Sequence, residues 1–267
     1  MDQPFDMIRL ASQRPINPLK SWLLVPFSAR HRAKLRISRQ PPAVQRIVHQ
    51  LVVSDDERLL FTRNFKAGCS SASHLIYEYS KGRKYRDNIS HAEDLARGIP
   101  YWKKIERCLG SPDCYRFTIV REPVARAVSG FRDFVVEGRN GKAPLYAATL
   151  AALGLCRDDP LERQFDVYLT FLELFLAQDR LGADPHFRTQ AVNIGLGVVD
   201  YQRICRLEDY IRDMRQVFDE AGVAPPADAL GGERRNRSSR QSAFTPDAGQ
   251  VRRQQALYAE DFEAFGY

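Results

Sequence analysis

No apolar run in this 267-residue sequence approaches the roughly 18 residues that a membrane helix needs. The segment from Trp22 to Phe27 is far too short, and the N-terminal stretch lacks the apolar core of a signal peptide. The expectation is a soluble, cytoplasmic protein without a transmembrane segment. Cysteine is scarce: Cys69, Cys108, Cys114, Cys156 and Cys205, an odd number with no CxxC pair. That count argues against a disulfide framework, and the spacing against a cysteine metal site. A reduced, intracellular setting is the simplest reading. Cys108 and Cys114 lie close enough to pair in an oxidising compartment, but nothing requires it. No internal repeat or low-complexity tract stands out.

What is present suits one large α/β domain or two small ones. The chain is 44% hydrophobic and 27% charged, with a formal net charge of +7. Residues 1–50 are basic, Pro- and Arg-rich and weakly periodic, and read as an extension that either wraps a domain formed by residues 51–267 or is partly mobile. A basic surface steers polyanions towards it. Charge alone does not choose among nucleic acid, an anionic glycan, a membrane surface and a phosphorylated nucleotide.

The segment Arg58–Phe65 has the apolar, β-prone look of a buried strand. A helix follows, with Leu75, Ile76 and Tyr79 on one face, ending near Gly82. Tyr101–Leu109 reads as a helix and Tyr115–Val120 as a second strand. Pro123 suits the first turn of a helix, which carries Val124, Ala127, Val128, Phe131 and Phe134 on one face. Residues 139–145 read as a loop, Leu161–Gln178 as a helix and Asp184–Leu196 as less regular. Tyr201–Leu207 reads as a third strand, Glu208–Ala221 as a helix, 222–245 as loop and Asp247–Phe262 as the last helix. This alternation implies parallel strands with helical crossovers, an α/β fold whose central, mostly parallel sheet is flanked by helices. Ligands bind such sheets at the carboxyl ends of strands, where the loops after Phe65 and Val120 fall.

The first loop is Lys66-Ala67-Gly68-Cys69-Ser70-Ser71. Gly68 lets the backbone come close to a ligand. The amides opening the helix point at an anion from the positive end of its dipole. Ser70 and Ser71 add hydroxyls and Lys66 a mobile charge. A Ser-capped helix with a surface lysine is the alternative reading. In the second loop Arg121 can grip a phosphate with two hydrogen bonds, and Ser129, eight residues on, lies two helical turns away. Arg126 and Arg132 read as solvated or ion-paired charges, with Glu122 or Asp133 as partners. The first loop is not a Walker A sequence, because its lysine precedes the glycine.

Taken together, Lys66-Ala-Gly-Cys-Ser-Ser71 resembles the 5′-phosphosulfate loop of sulfotransferases that use 3′-phosphoadenosine 5′-phosphosulfate (PAPS). Val120-Arg-Glu-Pro-x-x-Arg-x-x-Ser-x-Phe131 is similar to their 3′-phosphate motif. Asp184-Pro-His-Phe-Arg-Thr-Gln190 resembles the Asp-x-His-Trp-x-x-Gln stretch of the carbohydrate sulfotransferase branch, which includes the Golgi chondroitin and dermatan enzymes. The ending Tyr258–Tyr267 is similar to that branch too. The likeness spans about residue 58 to the end.

It implies a single P-loop-like domain, and a sulfuryl transfer from PAPS to a carbohydrate hydroxyl with 3′-phosphoadenosine 5′-phosphate (PAP) as product and no metal. It places Lys66, Ala67, Gly68, Cys69, Ser70 and Ser71 at the 5′-phosphosulfate and Arg121 and Ser129 at the 3′-phosphate. Ser238, Ser239 and Arg240 are weaker donor contacts, with a polar loop as the alternative. Lys66 would neutralise the leaving oxygen, and His91 or His186 would be the general base, with Glu93 and Asp94 as alternatives. His74 reads as packing or surface. Cys69 is discounted as a nucleophile, since no base stands beside it in the motif. The partner implied is an anionic glycan or glycolipid rather than a nucleic acid. The competing readings are a P-loop-type kinase, which lacks its Walker A lysine, and a non-enzymatic polyanion-binding module, which rests on charge alone.

Overall fold

A computed structural model describes residues 28–227, 229–230 and 244–267. In chain order the helices and strands are α1 (Ala29–Ile37), α2 (Pro42–Ile47), β1 (Leu51–Val53), β2 (Leu59–Thr62), α3 (Cys69–Lys81), α4 (Trp102–Gly110), β3 (Tyr115–Val120), α5 (Pro123–Phe131), α6 (Ala143–Ala152), α7 (Leu161–Gln178), α8 (Gln190–Ile194), β4 (Arg203–Arg206), α9 (Tyr210–Glu220), α10 (Ala248–Leu257) and α11 (Ala259–Phe265). The class is α/β. Among the described residues the chain forms two compact units, one taking in 28–120 and 192–230, the other 121–191 and 244–267.

The first unit holds the sheet. Its strand order is β1-β2-β3-β4, with β2, β3 and β4 parallel and β1 an antiparallel edge. Every residue of β1, β2 and β3 is buried. Strands covered on both faces carry continuous rather than alternating apolar runs, which is why the sequence reads Leu-Leu-Phe and Phe-Thr-Ile-Val there. Phe61 and Phe117 stack with ring centroids 5.1 Å apart. Each fully buried phenylalanine contributes about 2–3 kcal/mol through apolar burial. One core layer gathers these strands with Leu75 and Ile76 of α3 and Met214 and Phe218 of α9. Another joins Ile37 and Ile47, from the helices before β1, to Trp102 and Ile105 of α4. These early helices lie where the sequence reads as only weakly periodic.

The second unit is helical. Phe131, Phe165, Tyr168, Phe171 and Phe187 build an aromatic core, with Phe131 and Phe165 edge to face at 5.0 Å. Gly130 makes this packing possible, since a Cβ there would sit 2.6 Å from the Tyr168 hydroxyl oxygen. Three features differ from expectation. The helix after Pro123 continues as a π-helical turn over Arg132–Val136, which carries Phe134 into the core. A helix, α6, starts at Ala143, inside the stretch 139–145 that the sequence reads as a loop. The C-terminal helix is broken at Tyr258 into α10 and α11.

Candidate functional site

The first strand-to-helix turn is built from the end of β2. Asn64 is fully buried; its Nδ2 donates to the Ile119 carbonyl at 3.0 Å, and its Oδ1 accepts from Asn193 at 3.3 Å. The exit of β2 is thereby tied to the end of β3. The chain then turns through Phe65–Gly68, where Lys66 has φ +66° and Gly68 has φ +77°. A positive φ is costly for a lysine, so the turn holds Lys66 against its own preference. Between them the Ala67 amide donates to the Asn64 carbonyl at 3.2 Å, which closes the turn. Gly68 is required twice over: for its φ, and because a Cβ there would lie 2.6 Å from Leu207 Cδ1.

The helix α3 starts at Cys69 with no side chain capping it. The amides of its first turn have no carbonyl partner within the helix. Lys66, Cys69, Ser70 and Ser71 thus surround an uncapped helix start at the carboxyl end of a parallel strand, and Ala67 is fully buried beneath them.

The second turn is built differently. Glu122 caps α5: its carboxylate accepts from the Val124 amide at 2.9 Å and the Ala125 amide at 2.6 Å. The first-turn amides of α5 are satisfied from within, so an anion here would be held by the Arg121 and Ser129 side chains, not by the helix start. Arg121 itself is fixed by its backbone. The Gln190 side chain accepts from its N–H at 2.9 Å and donates to its carbonyl at 2.8 Å. Asp261, fully buried, accepts from the backbone amides of Gln190 at 2.8 Å and Ala191 at 3.0 Å. Burial pushes the Asp261 carboxyl up, against the opposing pull of Arg126 and these amides.

Arg126 departs from one half of its reading as a solvated or ion-paired charge. It is not solvated: only 2% of it is exposed, and its guanidinium donates to the Pro185 carbonyl at 3.1 Å. Asp133 accepts from the Asn140 side-chain amide at 2.9 Å.

The two histidines sit in contrasting surroundings. His91 closes a short 3₁₀ turn over Ile89–His91 in the sheet-bearing unit and is exposed. His186, in the helical unit, places Nδ1 2.6 Å from Asp184 Oδ1, and its ring meets Phe134 edge to face. Asp184 is buried and also accepts from Lys142 Nζ at 3.0 Å and the Tyr146 hydroxyl at 2.9 Å. Burial alone would raise its carboxyl, but His186 and Lys142 overcome that and hold it well below the ordinary carboxylate range. The same carboxylate, with burial, pushes the Tyr146 hydroxyl up. Asp94 accepts from Tyr77 at 3.0 Å and Arg83 at 3.1 Å, while Glu93 is exposed. Ser238, Ser239 and Arg240 lie outside the described residues.

Among the described residues, no group of three or more His, Cys, Asp or Glu is arranged to hold a metal ion, and no helix is long and apolar enough to cross a membrane. The four buried cysteines and the exposed Cys156 are all free thiols. The model of the sulfotransferase family matches residues 49–267. Nothing among the curated proteins or the solved structures matches the chain.

Proposed function

From the premise that this chain belongs to the sulfotransferase family, and so is a transferase of sulfuryl groups, we propose that its donor is PAPS and its acceptor a carbohydrate hydroxyl. The observation that carries the donor reading is the uncapped start of α3, reached through a turn that holds Lys66 and Gly68 at positive φ. A side chain at position 68 would press on Leu207 and strain that turn. A compact, multiply charged phosphosulfate satisfies the amides of Cys69, Ser70 and Ser71 together with the Lys66 ammonium. The 3′-phosphate, the feature that separates PAPS from ATP, falls to the Arg121 guanidinium and the Ser129 hydroxyl. Fixing the Arg121 backbone through Gln190 lowers the ordering cost of that contact.

The donor supplies an activated sulfuryl group. The acceptor oxygen attacks sulfur in line, the bond from sulfur to the bridging oxygen breaks, and PAP leaves. By analogy with phosphoryl transfer, positioning and charge stabilisation do most of the work. Lys66 neutralises the negative charge that grows on the bridging oxygen. The acceptor proton passes to a histidine. Two are candidates: His91, with an exposed ring, and His186, whose Nδ1 is oriented by a buried carboxylate in the manner that supports an imidazole base. The carbohydrate acceptor rests on the likeness of Asp184–Gln190 to one branch of the family.

The test is thermal stability with ligand. PAP raises the unfolding temperature well beyond ATP with Mg²⁺, and Lys66→Ala abolishes transfer from radiolabelled PAPS. Equal stabilisation by both nucleotides, or full activity in Lys66→Ala, refutes the donor reading. Of His91→Ala and His186→Ala, the one that loses turnover while keeping PAP stabilisation identifies the base.

A further inference from the structure

The short helix α8 takes its first turn from another helix. Asp261 of α11 is fully buried and brackets the Cα of Gln190. Its Oδ2 accepts from the Gln190 amide, before that Cα, at 2.8 Å, and its Oδ1 from the Ala191 amide, after it, at 3.0 Å. Residues next to Asp261 hold the approach to α8. The Tyr258 hydroxyl donates to the Phe187 carbonyl at 2.8 Å, and the Thr189 hydroxyl donates to Glu260 at 3.1 Å. Residues 187–191 are thus fixed by residues 258–261. A helix of five residues is too short to hold its own place, so the direction in which Gln190 projects is set by α11.

That direction matters because Gln190 holds Arg121 with its side chain, which accepts from the Arg121 N–H and donates to the Arg121 carbonyl. A glutamine side chain turns about each of its bonds and loses that freedom when it makes two hydrogen bonds at once. The pair is kept at low cost only if the Gln190 Cα is already in place. Asp261, Gln190 and Arg121 therefore form a line, all within the helical unit, from a buried carboxylate to the arginine read as gripping the 3′-phosphate. Burying a carboxylate is costly, and here each oxygen takes one of the two amides that start this line.

We propose that Asp261 is a positioning residue for the nucleotide's 3′-phosphate, acting through Gln190 on Arg121, and so sets the preference for PAPS and PAP over nucleotides that lack this phosphate. The proposal rests on the PAPS reading and deepens it, because it assigns the donor preference to a residue of the C-terminal helix that does not touch the donor.

Calorimetric binding of PAP and of adenosine 5′-monophosphate (AMP) to the full chain tests it. The two share the 5′-phosphate and differ in the 3′-phosphate, so their affinity ratio reads the Arg121 contact alone. Asp261→Asn keeps the size of the side chain but turns an NH₂ group towards one of the two amides, donor against donor. It should weaken PAP about tenfold, the scale of one charge-assisted hydrogen bond, and leave AMP within about twofold of the native chain. Gln190→Ala should lower the ratio likewise, and adding Asp261→Asn to it should lower the ratio no further, since the one acts through the other. Equal weakening of PAP and AMP would mark Asp261 as a merely structural cap. That result, an unchanged ratio, or additive losses in the double variant overturns the proposal. If Asp261→Asn folds poorly, amide hydrogen exchange of the native chain decides. PAP should slow exchange in residues 187–191 and 258–265 about threefold more than AMP does, because coupling between two sites is reciprocal; equal protection by both nucleotides overturns the proposal. A native chain that binds PAP and AMP alike refutes the 3′-phosphate reading itself, and the role of Asp261 falls with it.

Discussion

Replacing Gly68 by alanine tests the donor cradle through its mechanics. Two costs combine. Alanine at φ +77° pays about 1–2 kcal/mol for the left-handed conformation. Its Cβ then meets Leu207 Cδ1 at 2.6 Å, and moving that side chain aside costs about 1–3 kcal/mol. The expected loss is about 2–5 kcal/mol, read as a shift of the urea midpoint. Leu207→Ala in the same chain removes the overlap and leaves the φ cost. The four proteins of the cycle should therefore show a coupling of about 1–3 kcal/mol between the two positions. Additivity within about 0.5 kcal/mol would show that the close approach of α3 to Leu207 has no energetic consequence. A loss in Gly68→Ala below about 1 kcal/mol would refute the backbone argument as well. Since the same turn aims the anion-binding amides, PAP stabilisation should fall in Gly68→Ala and stay low in the double variant.

Lys66→Gly, relieved of φ +66°, should be as stable as the native chain or up to about 1 kcal/mol more stable, after glycine's own entropic cost, yet inactive in sulfuryl transfer; a clear loss of stability would contradict the strain. Gln190→Ala removes both hydrogen bonds to the Arg121 backbone and should cost about 2 kcal/mol, with weaker PAP stabilisation although the altered side chain is not a donor contact. Asp184→Asn leaves Lys142 and His186 without their carboxylate and should cost about 3–5 kcal/mol in urea unfolding near neutral pH. Because the folded Asp184 carboxyl lies below its ordinary 3.8, its contribution is present above that value and fades as pH falls below it. The acid limb of stability against pH should flatten in Asp184→Asn; an unchanged limb would mean that another carboxylate governs it.

Much of this was legible from residue order alone. Leu161–Gln178 was bounded correctly because its apolar residues repeat at helical spacing, with Phe165, Leu169, Leu172 and Leu176 all buried. The buried strands β2 and β3 announced themselves as short apolar runs between turn residues. The helix α6 escaped because Ala-Pro-Leu-Tyr-Ala-Ala-Thr-Leu-Ala-Ala has no distinct apolar face; only Tyr146 and Leu150 are buried. The strand β1 is three residues long, too short for a periodic signal. In the site, Gly68 was readable as a close-approach residue, but the strain at Lys66 was not, since lysine carries no preference for positive φ. Besides its reading as a partner for arginine, Glu122 is a carboxylate one residue before a helix-starting proline, which is where N-caps occur. The partners of Asp184 at positions 142 and 146 come from another helix and its approach, and no local pattern connects them.

The amide of Gln190 does for Arg121 what a neighbouring strand does for a residue in a sheet: it offers one acceptor and one donor, side by side. That pairing makes position 190 chemically selective. Asparagine is one methylene short, and an ionised glutamate presents two acceptors, one of them to a carbonyl that needs a donor. A protonated glutamate restores the complementary pair. Gln190→Glu would therefore turn the clamp into an acid-operated latch, with the Arg121 loop seated at low pH and released as the carboxyl ionises. A single substitution would link nucleotide affinity to proton concentration in a protein whose native clamp carries no charge.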